Sequence, residues 1–375
     1  MVNEQRLVDL FISLVQTDSP SGREGGLRDL LKEIFAQRGL KAEEDQAGPQ
    51  LGGQSGNLLV SIPGDDSVPA LLFCAHMDTV EPGRGVRAVK GQDGCIRSSG
   101  DTILGSDDKA AIAAMIEAYD SLRENHITHP PLEFLFTVSE EQGLMGSKQY
   151  DFSALRAQLA FVLDDGHEPG SIVVRAPCQN EIEYIARGKA AHAGMSPETG
   201  INAIQAAAGA LAAMACGRID EETTCNFGTI EGGIARNIVP DVCRVKGESR
   251  SLEPAKLEAL TADLIKVFTR EVEKRGAQAE VQVKFLYPAI NLDDKEEVIR
   301  LAWQASEDIN LKAQLVNTGG GSDANIINGH GIPCANLGVG MQAVHTCQEY
   351  IRVKDLVDAA RWLVAIAARA GSKSV

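Results

Sequence analysis

Gly105-Ser106-Asp107-Asp108-Lys109 stands between the apolar pair Ile103-Leu104 and a run carrying Ile112, Met115, Ile116 and Tyr119 at helical spacing. Read locally it is a helix start, since Ser106 is a good N-cap and carboxylates in a first turn suit the positive end of the helix dipole. That accounts for one Asp, or for both. The wider chain adds a second meaning, because four more segments share the form of an apolar run that ends abruptly in His, Asp or Glu. Phe73-Cys74-Ala75 runs into His76-Met77-Asp78, and Phe134-Leu135-Phe136-Thr137-Val138 into Ser139-Glu140-Glu141. Phe161-Val162-Leu163 ends in Asp164-Asp165, and the Gly-rich stretch 337–340 leads to Val344-His345. In an α/β protein these are positions at the carboxyl ends of parallel strands, where sites are assembled. Such ends can converge on one place.

Lys plus Arg number 36 against 52 Asp plus Glu, a net charge of −16, and the pI is near 4.9. Basic tracts are absent, which argues against a nucleic-acid or anionic-membrane surface. The longest apolar stretch, 206–216, is too short to span a bilayer. Residues 1–15 carry Glu4, Arg6 and Asp9 among their apolar positions, so they read as an amphipathic helix rather than a signal peptide. The eight cysteines are scattered without a Cys-x-x-Cys pair, which gives no support to a disulfide framework or a four-thiolate zinc site. The expectation is a cytoplasmic protein with reduced thiols.

A chain of 375 residues predicts more than one domain. Strands at about 70–75, 132–138 and 159–163 alternate with helical segments, most clearly 107–124, the pattern of a doubly wound sheet with helices on both faces. The loop Thr17-Asp18-Ser19-Pro20-Ser21-Gly22 is placed to cap a second helix around 26–38. From about Gln179 the rhythm becomes β-α-β-β-α-β, the ferredoxin-like split arrangement, in which Val281, Val283 and Phe285 alternate as in a half-buried strand. After Pro288 the α/β style returns. The fold class expected is therefore α/β, a doubly wound mixed sheet in a catalytic domain of two parts, 1–177 and 290–375, with a ferredoxin-like α+β domain, 178–289, inserted between them.

His, Asp, Glu, Asp and His are nitrogen and oxygen donors that suit zinc, or cobalt or manganese in its place. So many protein ligands exceed one tetrahedral site with an open position and suggest two metals sharing a carboxylate, able to hold a water, lower its pKa and polarise a carbonyl. In an extended segment residues two apart point the same way, so Asp78 can accept the second ring N–H of His76 and orient it. Side chains of Glu140 and Glu141 diverge, so one can bind metal while the other stays free as a general base.

With these motifs assembled, the sequence resembles the co-catalytic di-zinc exopeptidase and deacylase family that includes peptidase T, glutamate carboxypeptidase and succinyl-diaminopimelate desuccinylase, and is most similar to its peptidase T branch. The resemblance rests on His76-Met77-Asp78-Thr79, Gly105-Ser106-Asp107-Asp108-Lys109, Ser139-Glu140-Glu141-Gln142-Gly143, Leu163-Asp164-Asp165-Gly166 and His345, and covers nearly the whole chain. It implies two Zn2+ per chain, one held by His76 and Asp164, the other by Glu141 and His345, with Asp107 bridging and Glu140 as base acting on a metal-bridged water. Asp164 matches the third-site ligand better than Asp165, although the pair leaves both open. The resemblance also implies that His192, in Gly188-Lys189-Ala190-Ala191-His192-Ala193-Gly194, helps stabilise the tetrahedral intermediate, often across a dimer, and that Asn237 and Arg250 contact substrate. For Arg250 a solvated charge at a strand edge is an equal alternative.

The function implied is hydrolysis of small peptides of the aminopeptidase or tripeptidase type. A carboxypeptidase, an N-acyl-amino-acid deacylase, or a non-catalytic peptide-binding relative are the alternatives. One departure bears on the choice: the peptidase T pattern has an Arg, suited to a peptide carboxylate, where this chain has Gly319 in Thr318-Gly319-Gly320-Gly321-Ser322-Asp323. A homodimer through the inserted domain is expected from the resemblance. Two residue-level features are consistent with it, an Ala-rich helix at 203–215 offering a small packing face and a ferredoxin-like sheet with an open edge. Gly338-Val339-Gly340-Met341-Gln342-Ala343 is too short and too late in the chain to indicate a dinucleotide-binding fold.

Overall fold

The computed structural model describes residues 2–372, so Met1 of the first expected helix lies outside the described residues. The chain forms two compact units, the first made of 2–174, Leu292–Asn317 and 322–372, the second of Arg175–Asn291 and Thr318–Gly321. The short return of 318–321 to the second unit is not contained in the sequence reading, which has a single break there.

In the first unit a mixed sheet runs in the order Ala42–Glu44, Leu58–Ile62, Leu132–Thr137, Ala70–His76, Ala157–Asp165, Cys334–Gly338, Ser171–Ala176. Its centre is parallel: Ala70–His76 pairs in parallel with both Leu132–Thr137 and Ala157–Asp165, and the latter with Cys334–Gly338. Register places His76 beside Thr137 and Asp165 beside Gly338. The parallel strands therefore finish together, and whatever follows them is delivered to one rim.

Pleating divides the side chains. Leu71, Phe73, Ala75, Leu132, Phe134 and Phe136 join one large core with the long helices Glu4–Val15, Gly25–Gln37, Ser106–Glu124, Glu297–Asp308 and Val353–Gly371. Phe35 packs on Phe136 at 5.6 Å between ring centroids. Both faces are covered, as expected, but unequally: the second face meets short elements, chiefly Asp323–Gly329 and its neighbour Met145–Gln149.

Ser106–Glu124 is buried on nearly all sides, with Ala110 through Ile116 fully enclosed. A helix apolar all round belongs in an interior, and its alanines allow close approach of neighbours. The charges it does bury are paired. Arg6 reaches Glu117 at 2.6 Å, and Arg38 grips Asp120 through two nitrogens at 3.0 and 2.6 Å, so these carboxylates tie the first two helices to this one.

The second unit is a ferredoxin-like α+β domain. Its antiparallel sheet runs Gly217–Arg218, Thr223–Gly232, Val242–Ser251, Cys178–Arg187, Gln278–Tyr287, with Ala203–Leu211 and Pro254–Glu273 packed on one face. Two expectations are corrected here. Val281 packs on the core but Val283 and Phe285, on an edge strand, are exposed, Phe285 by 59%. Ala203, Ala206, Ala207 and Ala210 face inward, so the small face of that helix packs within the domain.

Candidate metal centre

Strand ends and the turns after them bring the predicted residues of the first unit together. His76, the last residue of its strand and nearly fully buried, has Nε2 2.9 Å from Asp107 Oδ1 and 3.9 Å from Asp164 Oδ1. His345 has Nε2 3.3 Å from Asp107 Oδ2 and 2.9 Å from Glu141 Oε1. Asp107 thus turns one oxygen to each imidazole. Donor atoms of His76, Asp107 and Asp164 lie within 4.8 Å of one another, as do those of Asp107, Glu141 and His345, and those of His76, Glu140 and Glu141.

Local backbone explains the aim of these groups. Asp107 and Asp108 have non-helical dihedrals at the start of their helix, with a cis peptide between them, so this stretch is less a regular first turn than a loop ahead of the helix. Ser139, Ala343 and His345 all have positive φ, at 50, 51 and 63°, a region that non-glycine residues enter at a cost. Glu140 and Glu141 lie in the turn opened by Ser139; a carboxylate oxygen of each lies within 4.8 Å of the other, so the divergence expected of neighbouring side chains is not complete, and Glu141 reaches His345.

Asp78 acts differently from the expectation. The nearer acceptor for His76 Nδ1 is the carbonyl oxygen of Asp78 at 2.9 Å, whereas its Oδ1 is at 3.5 Å. Its carboxylate instead accepts the backbone N–H of Glu140 at 2.8 Å and of Glu141 at 3.2 Å, along with the Ser21 hydroxyl at 2.6 Å. Asp78 thereby orients His76 through its main chain and clamps the Glu140-Glu141 turn through its side chain. Of the Asp pair, Asp164 points into the cluster, while Asp165 Oδ1 accepts from the His167 backbone at 2.9 Å and pairs with His167 Nδ1 at 2.5 Å.

The electrostatics of the cluster suit a cation. Burial pushes Glu140 and Asp164 well above the usual carboxylate range, and neighbouring carboxylates add to it. Burial also opposes ionisation of Asp107, but hydrogen bonds with His345 and His76 outweigh it and hold that carboxyl low. Pairing with Asp107 and Glu141 pushes His345 up to about 10; His76 is raised well above its ordinary value by Asp107 and Asp78 despite burial. Carboxylates and imidazoles crowded in a buried place, two donor groups sharing one carboxylate, fit a pair of divalent ions of the zinc type.

Some polar residues that support the cluster do not stand out in the sequence. The loop 18–24 does not cap the second helix, whose N-cap Glu24 makes no side-chain cap bond. Glu24 is buried and accepts from the Ser139 N–H at 3.1 Å, alongside Ser21 on Asp78. Asp323 accepts from the Thr137 hydroxyl at 2.5 Å at the end of the next strand. Glu349 accepts from backbone N–H groups of the Asp107 loop. The usable signal was polarity in each case, but cap and turn roles absorbed it.

His192, Asn237 and Arg250 belong to the second unit. His192 is exposed and lies opposite Ile238 in a short antiparallel pair, while the Asn237 carbonyl accepts from Ala193 N at 3.0 Å. His192 Nδ1 accepts from the N–H groups of Gly194 and Met195 at 3.2 and 3.1 Å, which leaves Nε2–H as the outward donor. Arg250 is on an interior strand, not an edge, and its Nε and Nη2 engage Glu248 at 2.9 and 3.1 Å.

A doubly wound sheet with an inserted ferredoxin-like unit and a buried His-carboxylate cluster at its parallel strand ends defines a metallopeptidase. The chain belongs to peptidase family M20/M25/M40, whose sequence profile matches residues 72–369. It is 42% identical to the Bacillus subtilis protein YqjE over 98% of each chain. Among solved structures it is similar to aminopeptidase PepT from Bacillus cereus, with TM-score 0.89 and 42% identity over 98% of this chain and 99% of that one. A tripeptidase from Staphylococcus aureus superposes with TM-score 0.94 at 38% identity, covering 99% of this chain and all 100% of the other.

Proposed function

We propose that this protein is a two-zinc exopeptidase that removes a terminal residue from small peptides, of the aminopeptidase or tripeptidase type. The observation that carries this reading is Asp107, with one oxygen toward His76 and the other toward His345, beside the buried carboxylate of Glu140. His76 and Asp164 would hold one ion, Glu141 and His345 the other, with Asp107 between them; cobalt or manganese can substitute. Bound there, the two ions would acidify a water and polarise the scissile carbonyl.

The chain's own groups do the rest. Glu140 takes a proton from the attacking water and returns it to the leaving amine nitrogen. Asp78 holds Glu140 and Glu141 by their backbone N–H groups, so both carboxylates keep their places as charge moves. His192 offers its Nε2–H to the oxygen that becomes negative, and Asn237 and Arg250 bind the substrate. The similarity to proteins described as an aminopeptidase and a tripeptidase supports the bond class. Gly319, around which nothing lies within 4 Å of an added Cβ, provides no charge to a peptide carboxylate.

We further infer a homodimer through the second unit and a cytoplasmic location. Beyond Thr224-Cys225 no strand among the described residues pairs with the outer edge of Thr223–Gly232, and Ile234 and Met195 are exposed by 87% and 81%. Among the described residues all cysteines are free and no helix is long and apolar enough to cross a membrane.

The test is Glu140→Gln on zinc-reconstituted protein, with dipeptides, tripeptides and N-acyl amino acids as substrates and mass detection of the released end. Both ions should stay and turnover should fall about a hundredfold or more. Unchanged turnover with both ions in place removes Glu140 from the role, and release from the carboxyl end or of an acyl group replaces the aminopeptidase reading.

A further inference from the structure

Glu349 lies outside the donor cluster, yet its carboxylate is nearly fully buried in a ring of donors from the Asp107 loop. Oε2 accepts from Leu104 N at 2.8 Å and Gly105 N at 2.9 Å. Oε1 accepts from Ser106 N at 2.6 Å, the Ser106 hydroxyl at 2.5 Å and Asp107 N at 3.2 Å. The dihedrals at Asp107 and Asp108 are not helical, and buried main-chain donors require a partner. One carboxyl group from a distant part of the sequence satisfies them together; burial pushes its pKa up and these same donors oppose that shift.

The loop that carries Glu349 also carries His345, and it is closed on itself. Gln342 and Tyr350 exchange both backbone hydrogen bonds at its neck, at 2.9 and 3.0 Å, and Glu349 N donates to Thr346 O at 3.1 Å. Asp107 is therefore held twice by one closed loop, at its backbone nitrogen by Glu349 and across its carboxylate by His345 at 3.3 Å. His76 and Asp164 sit on neighbouring strands of the sheet, outside this loop, and His76 meets the Asp107 carboxylate at 2.9 Å.

We propose that Glu349 is a positioning residue of the metal pair, tying the closed loop that carries His345 to the Asp107 loop and so setting the affinity of the Glu141-His345 side more than that of the His76-Asp164 side, with which it is linked through the shared Asp107. This rests on the two-metal reading above. Partners behind the ligands of a metal usually govern its affinity by about 10- to 100-fold, and Glu349 serves two ligands at once.

The experiment titrates metal-free wild type, Glu349→Gln and His345→Ala with Co2+, following visible absorption and bound metal by equilibrium dialysis. Wild type should take up two ions. Glu349→Gln keeps the side-chain size but sets an amide N–H against backbone donors. It should weaken by about tenfold or more the same ion that His345→Ala loses, while the other ion changes less. Equal affinity of both ions in variant and wild type overturns the inference, and so does an equal weakening of both, which is what a merely structural role would produce. If Glu349→Gln does not fold, Ser106→Ala, which removes the hydroxyl donor alone, decides: a several-fold loss confined to the His345 ion supports the inference, and unchanged affinity overturns it. A wild-type chain that binds a single ion overturns the two-metal reading and the inference with it, a result distinct from failure of the variants alone.

Discussion

His345 and Glu141, separated by 204 positions in sequence, meet at 2.9 Å between Nε2 and Oε1, and each has Asp107 as its common neighbour. This pair forms one side of a site whose other side is His76 and Asp164. Metal analysis of reconstituted protein should approach two divalent ions per chain, with His345→Ala losing one of them and Asp107→Ala weakening both. Full activity from a stable one-ion protein would rule out the shared-carboxylate arrangement.

The same contacts set a pH dependence. His345 is raised from 6.5 to about 10 by Asp107 and Glu141, so its pairing stabilises the metal-free chain fully below pH 6.5 and is lost as pH rises through about 10. Divalent ions bind the unprotonated ring, so metal uptake at pH 7 should expel protons and affinity should rise with pH across that window. Calorimetry in buffers of different ionisation enthalpy should find more than one proton released per chain, and His345→Ala should reduce the release by about one. No net release would show that the imidazoles are already neutral without metal.

The tautomer of His192 suits the transition-state role proposed for it. Its Nδ1 is occupied by two backbone donors, so Nε2–H is free to face a developing oxyanion. His192→Ala should retain both ions and lower turnover by about 10²- to 10³-fold, the effect of losing one such donor. Mixing Glu140→Gln chains with His192→Ala chains should restore part of the activity if the ring serves the partner subunit. Mixed dimers that recover nothing would confine it to its own chain, or to no catalytic role.

A substitution at a residue that is itself no ligand should also reach the site. A Cβ on Gly146 would lie 2.2 Å from the Val138 carbonyl oxygen and 2.5 Å from Asn57 Oδ1, both rigidly placed behind the Ser139 turn. Gly146→Ala should destabilise the protein by roughly 1–3 kcal/mol, as overpacking does, and weaken metal binding through Glu141. A thermal melt and a Co2+ titration check both parts, and an unchanged melting point would mean that the turn yields without cost.

Much of this arrangement was readable in residue order because each ligand follows an apolar run. Strand-end residues such as His76 and Asp164 declare themselves through an apolar run that stops, and the ferredoxin-like unit through its order of elements. What stayed hidden was the polar support. Ser21, Glu24, Asp323 and Glu349 sit in loops or at helix starts where caps and turns explain polar residues equally well, and their partners are distant in sequence: the Asp78 carboxylate for Ser21, the Thr137 hydroxyl for Asp323, and backbone N–H groups, which carry no residue code, for Glu24 and Glu349. The Asp78 clamp was hidden for the same reason: its spacing from His76 indicates a shared face, but only the fold shows that its carboxylate turns toward the Glu140 and Glu141 amides. The Ala-rich helix misled because small residues serve an internal interface as readily as an external one.

The positive φ values at Ser139, Ala343 and His345 carry a consequence for how the protein fails. Each costs on the order of 1–3 kcal/mol and persists only because surrounding structure over-determines it. Local openings of lowest free energy are drawn from such places, and here they flank Glu140, Glu141 and His345 rather than the sheet. On warming, the metal-free chain should therefore lose its ability to rebind ions while its far-ultraviolet signal is still native, so that inactivation and unfolding are separate events with separate temperatures.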